Sequence, residues 1–109
     1  MLEGIQRMKR RGVRLGLGTD LLGPHQERQC TEFELRRAVN TPLEILRSAT
    51  SINAEILGES GNLGQIATGV YADVIVVDGD PLKDVSLLAS NGAAVPTIVK
   101  GGKIWKNTL

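Results

Sequence analysis

Four consecutive apolar residues, Val74-Ile75-Val76-Val77, set the hardest demand in this chain of 109 residues. A strand that is apolar at every position, rather than at alternate ones, needs cover on both of its faces. Few other segments are available to supply it. Asp78-Gly79-Asp80-Pro81 ends the run as a turn, because Pro81 has no N–H to give to a ladder. Either more polypeptide covers the run, or copies of the chain associate through exposed strand edges.

The remaining periodicities divide the chain at about residue 58. Leu2, Ile5 and Met8 recur at helical spacing before Gly12, and Val13, Leu15 and Leu17 then alternate up to Gly18, predicting helix, tight turn and strand. Thr19 to Cys30 contains Gly23-Pro24 and no sustained period, so it reads as a loop beyond the C-terminal end of that strand. Two helix starts carry the capping-box pattern, Thr31 with Glu34 and Thr41 with Glu44, the second reinforced by Pro42. Leu43, Leu46 and Ala49 give the second helix an apolar stripe, and a further short helix over Ile52 to Leu57 stops at Gly58. From residue 59 onward the chain is glycine-punctuated, with strands expected at Leu63–Ile66, Asp73–Val77, Thr97–Lys100 and Lys103–Trp105. Gly101-Gly102 is a hairpin signal between the last two, and Val85–Ala89 reads as a short helix or turn.

Composition narrows the function only by exclusion. A net charge of +1 argues against a nucleic-acid or anionic-membrane partner, although Arg7, Lys9, Arg10, Arg11 and Arg14 cluster near the N-terminus. That cluster reads as a solvated helix end whose cations complement the helix dipole. No apolar run approaches the roughly 18 residues of a membrane span, and the start lacks a signal-peptide centre, so the expected location is cytoplasmic. The single Cys30 rules out an intrachain disulfide.

Complete catalytic sets are also missing. Gly16, Gly18 and Gly23 do not fit a dinucleotide fingerprint, and no glycine-rich segment ends in Lys-Ser or Lys-Thr. His25 is the only histidine, so a Cys30/His25 pair would have nothing to orient it, and one histidine with one cysteine cannot populate the usual zinc sets. Asp20 stands apart by its address, directly after the expected strand, where α/β proteins direct side chains into a substrate crevice. Two readings of it stand side by side: a site carboxylate, or the cap of a turn in the following loop.

Three segments bear on that choice. Gly16-Leu17-Gly18-Thr19-Asp20 resembles the eighth barrel strand and terminal aspartate of the metal-dependent amidohydrolases. Ser48-Ala49-Thr50-Ser51-Ile52-Asn53-Ala54-Glu55-Ile56-Leu57-Gly58 resembles the helical segment after that barrel. Gly64 to Pro81, completed by Val99-Lys100-Gly101-Gly102-Lys103-Ile104, resembles the return into the family's small β-domain. Order and spacing are similar to the imidazolonepropionase and Xaa-Pro dipeptidase-like (zinc carboxypeptidase-like) branch, from about Val13 to Asn107.

The resemblance implies an α+β chain: the last strand and helices of an incomplete (β/α)8 barrel over residues 1–58, then short antiparallel strands of a composite β-sandwich over 59–109. A whole barrel of this kind needs about 250 residues. It implies one or two divalent metals, zinc by expectation, in the full-length enzyme, and none bound by this chain alone. Asp20 would be both metal ligand and proton-transfer carboxylate, and Leu22, His25 and Arg28 on the following loop would contact substrate. The implied reaction is hydrolysis of a C–N bond in a small-molecule amide, a dipeptide, an acylated amino acid or a cyclic amide. The implied partner is the missing barrel portion. The competing expectation is a non-catalytic interaction module that self-associates through strand edges.

Overall fold

The computed structural model describes residues 1–109. Helix α1 spans Leu2–Arg10, buries Ile5 and ends at Arg11, with Gly12 turning the chain at φ 70°. Its basic last turn is partly engaged: Lys9 Nζ donates to the Val39 carbonyl at 3.1 Å and to Glu44 at 2.6 Å. No helix is long and apolar enough to cross a membrane.

Residues 13–18 carry the expected strand pattern but form no strand. A strand exists only by pairing, and the three strands present pair with one another. Side chains reaching in from two helices hold the segment's backbone instead. The following loop is also more regular than expected, since Gly23–Arg28 closes into a 3-10 helix behind Leu22.

Helix α2, Thr31–Arg36, does not use the Thr31/Glu34 box. Its N-cap is Cys30, already helical at φ −72° and ψ −14°, because the chain enters directly from the preceding turn. A capping side chain needs an extended residue at that point, so Glu34 pairs with Arg37 instead, at 2.8 Å. The Thr41/Glu44 box forms in full. Thr41 is extended, its Oγ1 accepts from the Glu44 N–H at 3.3 Å, and Glu44 Oε2 accepts from the Thr41 N–H at 2.9 Å.

Helix α3, Pro42–Arg47, runs through a widened π turn, Ser48–Ile52, into α4, Asn53–Ile56, and stops before Gly58 at φ 72°. The fully buried residues are Ile45, Ser48 and Ala54; of the expected Leu43, Leu46 and Ala49 stripe, Leu46 packs at the edge of the core, Ala49 is half-buried and Leu43 is exposed. Packing chose the face: Ile45 meets Val85, Leu88 and Val95 in the core, with Leu17, Phe33, Leu46, Val77 and Ile98 around them. The core therefore draws on both sides of residue 58.

Strands β1 (Val74–Val76), β2 (Thr97–Lys100) and β3 (Lys103–Asn107) form one antiparallel sheet in that order, so the molecule is a small α+β structure. Gly101 and Gly102, at φ 57° and 78°, make the hairpin turn that demands two left-handed residues. Trp105 is the extra residue of a bulge, since Ile98 faces Lys106 while Val99 faces Ile104. The strand expected at Leu63–Ile66 is absent. Gly64 is left-handed there and lies so close to the helical segment that an added Cβ would sit 2.7 Å from the Thr50 carbonyl oxygen. Val85–Ala89 is a short 3-10 helix, its start capped by Asp84, which accepts from the Ser86 N–H at 3.0 Å. The four-residue apolar run is covered incompletely: Val77 reaches the core, whereas Ile75 and Val76 remain 48% and 42% exposed.

The Lys9–Glu44–Thr41 cluster makes the fold acid-sensitive at one identifiable carboxyl. The Lys9 ammonium, then the Thr41 N–H, hold Glu44 down from an ordinary 4.5 to about 2. A carboxyl lowered by folding stabilises fully above its unfolded value, and that contribution is lost as pH falls through the folded one. Glu44→Gln is therefore expected to flatten the decline of the urea midpoint between pH 4.5 and about 2. An unchanged decline contradicts this. Thr41→Ala should cost about 1 kcal/mol at neutral pH.

Candidate functional site

The segment before Asp20 is shaped by a contact that only glycine allows. A Cβ at Gly16 would lie 2.2 Å from Asn53 Oδ1 and 2.9 Å from Ile56 Cδ1, so α4 can approach the backbone only because Gly16 has no side chain. Asn53 then accepts from the Leu17 N–H at 3.1 Å and donates through Nδ2 to the Leu17 carbonyl at 2.8 Å. Arg36 Nη2 donates to the Gly16 carbonyl at 3.0 Å, and its Nε donates to Glu32 at 2.7 Å. Arg36 and Glu32 are both buried, an arrangement that tolerates charge because the two are paired and the guanidinium is further hydrogen-bonded.

Asp20 emerges from this held segment into solvent with a left-handed backbone, φ 54°. Aspartate tolerates that conformation better than most residues, yet it still carries a steric cost. The turn-cap reading finds no support: Thr19 Oγ1, not Asp20, accepts from the Leu21 N–H, at 3.4 Å. The Asp20 carboxylate makes no hydrogen bond or ion pair within the chain.

The three loop residues after Asp20 all lie exposed. Leu22 is 77% exposed, and His25 and Arg28 project from the 3-10 helix into solvent. Arg28 shares a shallow depression of about 230 Å³ with Thr19, Leu21, Glu32 and Leu35, which neither Leu22 nor His25 lines. The loop is tied to the far end of the chain, because Asn91 Nδ2 donates to the Glu27 carbonyl at 2.9 Å. No three His, Cys, Asp or Glu side chains converge anywhere, so Asp20, His25 and Cys30 form no joint site. The chain by itself does not fit a divalent cation.

Residues 1–104 match the amidohydrolase family. The chain belongs to the amidohydrolase family. It is 46% identical to an amidohydrolase of known crystal structure, with a TM-score of 0.96 over 99% of this chain and 26% of the other. A prolidase solved in complex with N-methylphosphonate-L-proline is 41% identical, with a TM-score of 0.93 over 98% of this chain and 26% of its own. The ochratoxinase of Aspergillus niger is 33% identical over 106 residues, 96% of this chain and 22% of that enzyme. The chain thus spans about a quarter of the length of these relatives and matches their C-terminal part. The resemblance read from its three segments is borne out.

Asn53, Arg36 and Glu32 do not stand out in the sequence as functional residues because the backbone groups that Asn53 and Arg36 reach lie 36 and 20 positions away. Two signals were nonetheless present: an asparagine inside a helix, where its backbone-seeking amide is disfavoured, and a Glu-Arg pair at i, i+4 spacing. Gly16→Ala is expected to expel the Asn53 amide and cost about 1–3 kcal/mol. Gly18→Ala, whose Cβ would meet nothing within 4 Å, should stay within about 0.5 kcal/mol of the parent. Urea denaturation of the two variants checks the contrast.

Proposed function

We propose that this chain is the C-terminal portion of a metal-dependent hydrolase that cleaves a C–N bond in a dipeptide, an acylated amino acid or a cyclic amide. Residues 1–58 would complete a (β/α)8 barrel and residues 59–109 would contribute strands to a small composite β-domain. The observation that carries the reading is the unpartnered, solvent-facing carboxylate of Asp20, at the end of a segment matching the family. Exposed surface supports it. The chain presents 7638 Å² to solvent, whereas a self-sufficient domain of its mass exposes roughly 5,900 Å².

In this reading Asp20 takes the proton of the attacking water as its oxygen adds to the carbonyl carbon. It then returns that proton to the nitrogen as the C–N bond breaks. A divalent metal, zinc by preference, held by Asp20 together with ligands from outside this chain, would supply water acidity and carbonyl polarisation. Leu22, His25 and Arg28, on the loop after Asp20, are the proposed substrate contacts. The surplus surface also suits a second reading, a module that self-associates through the edges of β1 and β3, where Trp105 is 65% exposed. Sedimentation velocity separates them, since a discrete dimer favours the module.

Replacing the corresponding C-terminal quarter of the 46%-identical amidohydrolase with residues 1–109 should give a folded, active chimaera. Asp20→Asn in it should lower kcat by about 10²–10⁴-fold. Undiminished turnover in that variant removes Asp20 from the chemistry. Metal-dependent hydrolysis by the purified 109-residue chain alone would show that the site needs no further polypeptide and overturn the reading.

A further inference from the structure

Leu17 is held in an unusual way. Both of its backbone groups bond to a single side-chain amide, the N–H donating to Asn53 Oδ1 at 3.1 Å and the carbonyl accepting from Nδ2 at 2.8 Å. Residues paired across an antiparallel ladder exchange the same two bonds, so Asn53 does for Leu17 what a neighbouring strand would do. One residue earlier the Gly16 carbonyl is held from another helix by Arg36, itself fixed by Glu32. Three backbone groups on two consecutive residues are thus gripped by side chains of α2 and α4, and the grip ends three residues before Asp20.

We propose that Asn53 is a positioning residue for Asp20, with the Glu32–Arg36 pair as its counterpart at Gly16. The inference rests on the reading of Asp20 as the proton-accepting carboxylate. Three features give it physical content. A side-chain amide locks its two bonds into one geometry, so Leu17 can neither slide nor rotate without breaking both. Gly16 is shaped for the contact, since any Cβ there would collide with Asn53 Oδ1. The π turn Ser48–Ile52 immediately precedes Asn53; such a turn rotates the next residues relative to a regular helix, and so sets the direction of the amide. Asp20 itself has no partner to hold it and a left-handed backbone to maintain, so its placement depends on how firmly the preceding residues are fixed.

The test uses the isotopically labelled 109-residue chain and needs no turnover. In Asn53→Ala, amide hydrogen exchange at Leu17 is expected to rise at least about tenfold more than at Ile98 and Val99 in the sheet. The carboxyl carbon signal of Asp20 should shift with it. Leu17 and sheet amides rising by the same factor would mean that Asn53 only stabilises the fold, and an unmoved Asp20 signal would mean that it positions nothing; either result overturns the proposal. Should Asn53→Ala fail to fold, the unsubstituted chain decides the matter. A scalar coupling across the hydrogen bond from the Leu17 N–H to the Asn53 side-chain amide supports the proposal, and its absence overturns it. In the chimaera, Asn53→Ala should lower kcat with little change in KM. A chimaera inactive with Asn53 intact would count against the hydrolase reading and leave the resonance result standing.

Discussion

Peptide groups withdrawn from solvent must find hydrogen-bond partners, and the half-buried backbone of Gly16 and Leu17 meets that requirement without a neighbouring strand. Its solution organises the N-terminal half of the molecule. Asn53 reaches in from α4 to occupy both groups of Leu17, and Arg36 reaches from α2 to the Gly16 carbonyl. Gly16 has to be glycine for the first contact, and Glu32 has to be buried beside Arg36 for the second. Leu17, once fixed, packs on the Ile45 cluster, and that cluster ties the helices to Val85, Leu88 and Val95. Asp20 follows three residues after Leu17.

The same core is too small for the surface it has to govern. Only Ile45 and Val85 are fully enclosed among its large side chains, and long apolar residues such as Ile75, Ile104 and Trp105 remain in contact with water. Burial of apolar area is the main source of folding free energy, and this chain leaves much of its apolar area uncovered. Both edges of the sheet are open, and the apolar run of β1 has cover on only part of its length. Membership of the amidohydrolase family, over about a quarter of its relatives' length, accords with that imbalance.

Much of this was legible in the residues. The Thr41/Glu44 capping box with Pro42, the Gly101-Gly102 hairpin, the short helical turn at Val85–Ala89 and the stop at Gly58 all depend on interactions a few residues apart. Where the reading failed, the deciding partner lay far away in sequence. Val13–Leu17 has the alternation of a strand and no strand to pair with, and Leu63–Ile66 is drawn against the Ser48–Ile52 turn rather than into the sheet. Thr31 loses its cap because the preceding turn is already helical, and the helix stripe predicted on Leu43 gives way to Ile45 because the core lies on that side.

For the site the division is equally physical. By itself the sequence determined that one carboxylate, Asp20, follows a glycine-rich apolar segment, and that one histidine and one cysteine cannot populate the usual zinc ligand sets. These are statements about which groups exist, and counting settles them. Only the tertiary structure decided that Thr19 rather than Asp20 accepts from the Leu21 N–H, that Leu22, His25 and Arg28 lie exposed, and that Asn53 holds both backbone groups of Leu17. Those outcomes depend on contacts between residues as many as 36 positions apart, whose geometry is set by how whole helices pack rather than by any local pattern.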